Sequence, residues 1–250
     1  MKALILAGGT GTRLRPYTIT IPKPLLPIGD MSALELLIRQ LARDGVQEIR
    51  MTVAYKANLM QAMLGDGQEL GVKIDYYCED QPLGTAGCLA MQGDWFDQDL
   101  LVCNGDLLTN VDFSQVLKSH RQAKADISLC VRKQEVPIPY GVVEFSPSHQ
   151  LDSYQEKPTL EYWVSMGLYV VSPQAHPLIN QGERMDMPDL HLKMKASGGK
   201  VQCIPINGPW YDIGAFADYD RACAAFTESP EQFLEAPAGS ISPSGVDDLS

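Results

Sequence analysis

The stretch Leu4-Ile5-Leu6-Ala7-Gly8-Gly9-Thr10-Gly11-Thr12-Arg13-Leu14-Arg15-Pro16, closed at Ile21-Pro22-Lys23-Pro24, organises the chain. The apolar run from Ala3 to Ala7 predicts a short buried strand bounded by a glycine cluster. Three glycines in four positions follow, and they free the backbone to turn sharply with its N–H groups pointing inward, as an anion with many oxygens requires. Arg13 and Lys23 are the cations such a loop would hold over one ligand, with Arg15 as a third candidate. A guanidinium offers phosphate a forked donor, and an ammonium a point charge. The segment reads as a triphosphate cradle at the C-terminal end of a first strand.

Two commoner glycine loops are excluded by the same letters. A P-loop needs Gly-Lys-Ser/Thr after its spacer, and no lysine follows these glycines directly. A dinucleotide fingerprint needs a further glycine at position 14, which is Leu14.

Outward from the cradle, strand and helix signals alternate. Apolar residues at Leu34, Leu37, Ile38 and Leu41 predict a helix over Ser32–Asp44, stopped by Gly45. A strand over Glu48–Ala54, a helix over Asn58–Leu64 and a strand over Val72–Tyr77 follow. This order predicts right-handed βαβ crossovers and a mostly parallel sheet with helices on both faces, with ligands beyond the carboxyl ends of the strands. The run Gln81-Pro82-Leu83-Gly84-Thr85-Ala86-Gly87 opens a helix toward Gln92. Its small residues would let the loop lie against a planar base, with the free N–H groups of the helix start facing that base. Asp99–Cys103 is an apolar strand ending in Asn104-Gly105-Asp106. A carboxylate placed there, beside a phosphate cradle, suits Mg²⁺, which takes few protein carboxylates and leaves its other positions to phosphates and water. The same three letters also make an ordinary turn.

From Asp126 onward the pattern is strand after strand: Ile127–Val131, Gly141–Phe145, Leu151–Tyr154 and Val164–Val171. This predicts a mixed sheet, with one part reaching over the cradle to hold a second substrate, the place of the sugar-binding lobe in the family resembled below. Asp186-Met187-Pro188-Asp189-Leu190 begins a further helix, with proline in its first turn.

The run Gly8 to Arg13 followed by Pro22-Lys23-Pro24-Leu25-Leu26-Pro27-Ile28 resembles the signature of sugar-1-phosphate nucleotidylyltransferases. The later motifs extend that resemblance to about residue 226. It implies a Rossmann-like α/β fold and a reaction between a nucleoside triphosphate and a sugar 1-phosphate. It implies Arg13 and Lys23 as catalytic cations, and a nucleotide site of Leu6, Ala7, Gly8, Gly9, Gly11, Thr12, Gln81, Gly84 and Thr85. For the sugar phosphate it implies Asn104, Gly141, Glu156, Lys157, Ser165 and Gly167, and for Mg²⁺ the pair Asp106 and Asp212. Most relatives carry asparagine where this chain has Ser165, and a serine makes fewer hydrogen bonds. Plainer roles stand beside these: Gly141 as a strand bulge, Glu156 and Lys157 as a solvated pair, Asp212 as a helix cap. Resemblance of the 81–87 loop and the 186–190 segment to GDP-sugar members favours GTP, with UTP, dTTP or CTP users as alternatives. A regulatory subunit that binds a nucleotide sugar without turnover is the reading from another class.

Composition agrees with this class. The chain has 250 residues, 45% hydrophobic, with a net charge of −11 and no Lys/Arg block, which argues against nucleic acid as a partner. Six cysteines without a C-x-x-C spacing argue against a zinc ribbon or a thioredoxin-like centre. With no signal peptide and no apolar run of membrane length, the expectation is a cytoplasmic protein without a membrane partner; a homo-oligomer is compatible with the letters. The catalytic domain is expected over residues 1–226. Residues 227–250 hold five acids and no base, and are expected to form a flexible acidic tail.

Overall fold

The computed structural model describes residues 1–54, 56–79 and 81–235. The chain opens with β1 (Lys2–Leu6), and the segment after it carries the short helix α1 (Tyr17–Thr20) and a tight pair, β2 (Pro27–Ile28) and β3 (Met31–Ser32). Then come α2 (Ala33–Arg43), β4 (Glu48–Val53), α3 (Ala57–Leu64) and β5 (Lys73–Cys78). The middle of the chain supplies α4 (Gly84–Gly87), β6 (Leu100–Asn104), β7 (Leu107–Thr109), α5 (Phe113–Ala123) and β8 (Ile127–Pro137). The remainder supplies β9 (Val142–Phe145), β10 (Leu151–Gln155), β11 (Thr159–Val171), α6 (Met187–Ala196) and β12 (Val201–Pro205). It closes with β13 (Trp210–Asp212), α7 (Phe216–Glu228) and α8 (Glu231–Leu234).

Seven strands form one sheet in the order β12-β8-β11-β6-β1-β4-β5. All neighbours are parallel except β11, which runs antiparallel to both β6 and β8. The expected mostly parallel sheet is therefore present. Strand β1 is apolar on both faces because both are covered. Ala3 and Ile5 enter one buried cluster with α2 and α5 residues, and Leu4 enters another with Leu89, Met187 and Leu190 of the opposite face. From β1 the chain builds outward to β4 and β5, then returns to place β6 on the other side of β1. A crevice opens at such a reversal, beyond the strands' carboxyl ends.

Helix α2 forms where its apolar spacing predicts. Ser32 caps it by accepting from the Glu35 N–H at 3.1 Å, and its buried face is Leu34, Leu37, Ile38 and Leu41. Two other readings need correction. The helix expected toward Gln92 is only the single turn α4, continued by 3₁₀ turns that break at Gly93, whose φ is +53°. Strands β9 and β10 pair only with each other, as a separate hairpin. In addition, β8 and β11 run past the expected ends into long arms with exposed residues on both faces, a burial that leaves no clean alternation to read.

The expected boundary at residue 226 also moves. Helix α7 continues to Glu228, and Phe233 of α8 is fully buried against Phe226 and Tyr211. The Gln40 amide of α2 donates to the Phe233 carbonyl at 2.7 Å, so residues 227–235 are part of the folded body. The rest of the expected tail, 236–250, lies outside the described residues.

A buried polar relay supports the far side of the sheet. His120 lies 2.8 Å by Nδ1 from Ser128 Oγ and 2.9 Å by Nε2 from Ser172 Oγ, and Ser172 donates to Asp99 at 2.7 Å. With Ser172's proton directed at Asp99, its oxygen accepts from Nε2–H and Nδ1 accepts from Ser128, which fits a neutral imidazole. Burial lowers the His120 pKa, and it holds His191 down to about 4. The unfolded chain takes up protons on these histidines as pH falls below about 6.5 while the folded chain does not. Stability is thus expected to fall from pH 7 toward pH 5. Substituting His120→Ala should lower the urea-unfolding free energy at pH 7.5 by about 2–3 kcal/mol, because Ser128 is left without its partner. It should also flatten the pH slope, as urea curves at several pH values would show.

Candidate active site

The loop after β1 is shaped by short-range bonds. Gly11 has φ +61°, and a Cβ there would lie 3.0 Å from both Lys23 Cβ and Thr18 Cγ2. Only glycine meets both demands. Thr18 Oγ1 donates to the Gly11 carbonyl at 2.7 Å, and a 3₁₀ turn over Thr12–Leu14 directs Arg13 outward while burying Leu14. The loop borders a cleft of about 420 Å³ lined by Leu6, Ala7, Gly8, Gly9, Gly11, Thr12, Arg13 and Lys23. Asn104, Asp106, Gly84 and Thr85 line it too. Most of the nucleotide and cation residues named from the sequence therefore share one cavity.

The two aspartates, far apart in sequence, meet here. Strand β13 pairs antiparallel with β7, Asp212 opposite Leu107, and the Ile213 N–H donates to the Asp106 carbonyl at 3.1 Å. Lys23 Nζ forms an ion pair with Asp106 Oδ2 and lies 3.8 Å from Asp212 Oδ1. Burial, and next the neighbouring Asp106 carboxylate, raise the Asp212 pKa, while Lys23 and Arg13 oppose the rise. Arg13 reaches the same corner: a Cβ on Gly214 would lie 3.4 Å from its Nη2. A third buried cluster holds this corner together, joining Leu14 and Leu26 of the loop to Leu108, Ile213 and Phe226.

Asp106 Oδ1 is buried and has no hydrogen-bond partner. A hard divalent cation is the ligand that such an oxygen beside a second carboxylate accommodates. Among the described residues no group of three or more His, Cys, Asp and Glu side chains is gathered for a metal. An ion held by Asp106 and Asp212 would have to complete its shell with phosphate and water.

The base loop differs from expectation. The Thr85 N–H donates to Asp186 Oδ1 at 3.0 Å, and the Ala86 and Gly87 N–H groups donate to the Met185 carbonyl at 2.9 and 3.0 Å. These N–H groups, expected to be free for a base, are engaged with the 185–187 segment. Gly84 has φ +76°, and a Cβ on it would lie 2.5 Å from the Met185 oxygen. Its first role is close packing. Asp186 also caps α6 through a capping box with Asp189, so one carboxylate ties two helix starts together. Gln81 is exposed and stands outside the cleft's lining.

The sugar-side residues lie on two structures. Asn104 packs on Gly167, whose φ is +70° and whose Cβ would lie 2.5 Å from Asn104 Nδ2. This glycine sits in the register shift of β11 between Ser165 and Tyr169. Ser165 Oγ donates to the Tyr169 hydroxyl at 3.3 Å. Gly141, Tyr154 and Glu156 form a second group at the hairpin. Tyr154 donates to Glu156 Oε2 at 2.8 Å, and a Cβ on Gly141 would lie 2.2 Å from the Tyr154 oxygen. Lys157 is exposed with φ +47°, a strained conformation for a residue with a side chain. Gly141, Glu156, Lys157, Ser165, Gly167 and Asp212 are outside the lining of the cleft. The sequence reading missed Thr52 and Glu79, which line it. Both sit at carboxyl ends of strands on β1's far side, the signal that could have found them.

The profile of the family described as Nucleotidyl transferase matches residues 2–229. The chain is 32% identical to the UTP–glucose-1-phosphate uridylyltransferase of Synechocystis sp., over 97% of this chain and 68% of that protein. It is equally, 32%, identical to the mannose-1-phosphate guanylyltransferase of Mycobacterium tuberculosis, over 90% of this chain and 64% of that protein. The chain thus spans about two thirds of the length of these curated relatives. The crystal structure of HddC from Yersinia pseudotuberculosis complexed with GMP-PN is similar at a TM-score of 0.69 and 25% identity, covering 90% of this chain and 99% of that one.

Proposed function

The chain belongs to the nucleotidyl transferase family of sugar-1-phosphate enzymes, and from that premise we propose that it transfers a guanylyl group from GTP to a sugar 1-phosphate. A phosphate oxygen of the sugar 1-phosphate attacks the α-phosphorus, a new P–O bond forms, the bond to the β-phosphate breaks, and pyrophosphate leaves. The attacking oxygen is already ionised near neutral pH, so no general base is required. The barrier lies in bringing two polyanions together in line, and catalysis is positioning plus charge neutralisation.

The observation that carries the reading is the meeting of Lys23, Asp106 and Asp212 beside the glycine loop. Lys23 neutralises the α-phosphate, Arg13 the departing pyrophosphate, and Lys157 the incoming sugar phosphate. Asp106 and Asp212 would hold Mg²⁺, which supplies further neutralisation of phosphate charge when bound. Glu156, oriented by Tyr154, accepts from sugar hydroxyls, and the bare backbone of Gly141 admits them. Six unpaired cysteines support a reducing, cytoplasmic setting. Among the described residues no helix is long and apolar enough to cross a membrane.

GTP is favoured because Asp186 and Met185 brace the 84–87 loop, tying together the two segments that resemble GDP-sugar enzymes. A guanylyltransferase and a GMP-PN complex are among the similar proteins, beside a uridylyltransferase of equal identity. The test is pyrophosphate release with Mg²⁺, each of GTP, UTP, dTTP and CTP in turn, and a panel of sugar 1-phosphates. Release is expected to require both substrates and to be fastest with GTP. No release with any pair would overturn the catalytic reading in favour of a binding subunit.

A further inference from the structure

Helix α1 lies between the two cations of the cradle, Arg13 before it and Lys23 after it. Its Thr18 donates to the Gly11 carbonyl, and Lys56, from the segment after β4, donates to the Ile19 carbonyl. Its first residue, Tyr17, meets Phe216, the first residue of α7, with ring centroids 5.5 Å apart and planes at 68°. This is the edge-to-face arrangement that the charge distribution of aromatic rings favours. Both rings are exposed, Tyr17 at 53% and Phe216 at 38%, and neither lines the cleft. The burial they supply is small, and the cluster of Leu14, Leu26 and Ile213 already joins the two segments. Their contact instead closes a circuit. From Arg13 the chain leads to Tyr17, crosses the rings to Phe216, and returns through Gly214, where a Cβ would lie 3.4 Å from Arg13 Nη2. Among the described residues no carboxylate is ion-paired with Arg13, which leaves its forked donors for phosphate.

We propose that Tyr17 and Phe216 are positioning residues, their rings forming a clasp that holds Arg13 over the β- and γ-phosphates of the nucleotide. The inference rests on the transfer reading above, in which Arg13 neutralises those two phosphates as they leave. Ordering a side chain or a loop on binding costs entropy, and a site ordered in advance avoids that cost. With the rings apart, the phosphates themselves would have to order the Arg13 turn, and affinity for them falls by the strength of the contact. An edge-to-face pair counts for a factor of about 2 to 10 in such an equilibrium. The effect is confined to the ligand groups that Arg13 meets. A nucleoside monophosphate lacks them and does not feel it. The Tyr17 hydroxyl has no part, because the rings make the contact.

The experiment is calorimetric titration, with Mg²⁺ present, of three ligands into the wild type and its variants. They are inorganic pyrophosphate, the tightest-binding of GTP, UTP, dTTP and CTP, and the corresponding monophosphate. In Tyr17→Ala and in Phe216→Ala the Kd for pyrophosphate and for the triphosphate should rise about 2- to 10-fold, with the Kd for the monophosphate unchanged. Tyr17→Phe should bind all three as the wild type does. The Y17A/F216A double variant should be no weaker than the weaker single variant, since the two share one contact. Added to Arg13→Ala, Y17A should cost the triphosphate nothing further. An unchanged Kd for pyrophosphate in both alanine variants would overturn the inference. So would an equal weakening of the monophosphate, which a merely structural role produces, or a full further loss on top of Arg13→Ala. A wild type that releases pyrophosphate from no substrate pair, with the binding ratios as expected, would overturn the transfer reading and not the clasp.

Discussion

Replacing Asp106 by alanine is expected to lower turnover about 10³-fold, the scale on which a preorganised charge at a reacting phosphate counts, while leaving the fold intact. The second half of that statement follows from the local geometry. Asp106 Oδ1 is buried without a partner, and an unsatisfied buried acceptor costs about 1–3 kcal/mol. Lys23 would keep Asp212 as a neighbour at 3.8 Å. The variant should therefore melt no lower than the wild type, the sign of a residue kept for activity at the expense of stability. Thermal melting and pyrophosphate release on the same preparation check both halves. A folded variant with full turnover would remove the carboxylate pair from the mechanism.

Lys23→Ala should have an effect of similar size and a different signature. Turnover is expected to fall about 10²- to 10³-fold with loss of the cation over the α-phosphate. The ammonium also separates two carboxylates, and it is one of the charges that hold the Asp212 pKa down against burial and Asp106. Without it, the Asp212 pKa rises further. Activity that needs this carboxylate ionised is lost as pH falls through its pKa, so the acid limb of the variant's pH–activity profile should lie at higher pH than the wild type's. The ammonium's place would also be open to a divalent ion. Mg²⁺ should then raise the variant's melting temperature more than the wild type's, since a ligand of the folded state stabilises it by mass action. An unchanged acid limb would show that Lys23 does not govern the pair.

The glycine cradle and its cations were legible because their information is local. Gly8, Gly9 and Gly11 shape their own loop, and Arg13 and Lys23 lie within a few residues of it. Helix α2 was legible for the same reason, with Ser32 at its start and a strong apolar stripe. The hairpin of β9 and β10 and the arms of β8 and β11 were read less well. Their residues are exposed on both faces, so period-two alternation carries no signal. Phe233 was missed because one buried aromatic in a polar stretch has no periodicity to announce it.

The sequence alone determined the glycine loop, the alternation that yields a parallel sheet, and the cations that lie close to that loop. The tertiary structure decided which of those residues meet. It set Lys23 between aspartates 106 and 212, turned the Thr85 N–H toward Asp186, and lined the cleft with Glu79 and not with Gln81. Each of these contacts joins segments tens of residues or more apart, and what brings them together is the reversal of strand order at β1 and the packing of α7 and α8 under the loop. Neighbouring letters encode turns and caps, whereas such long-range contacts arise only when separate apolar surfaces are buried against one another.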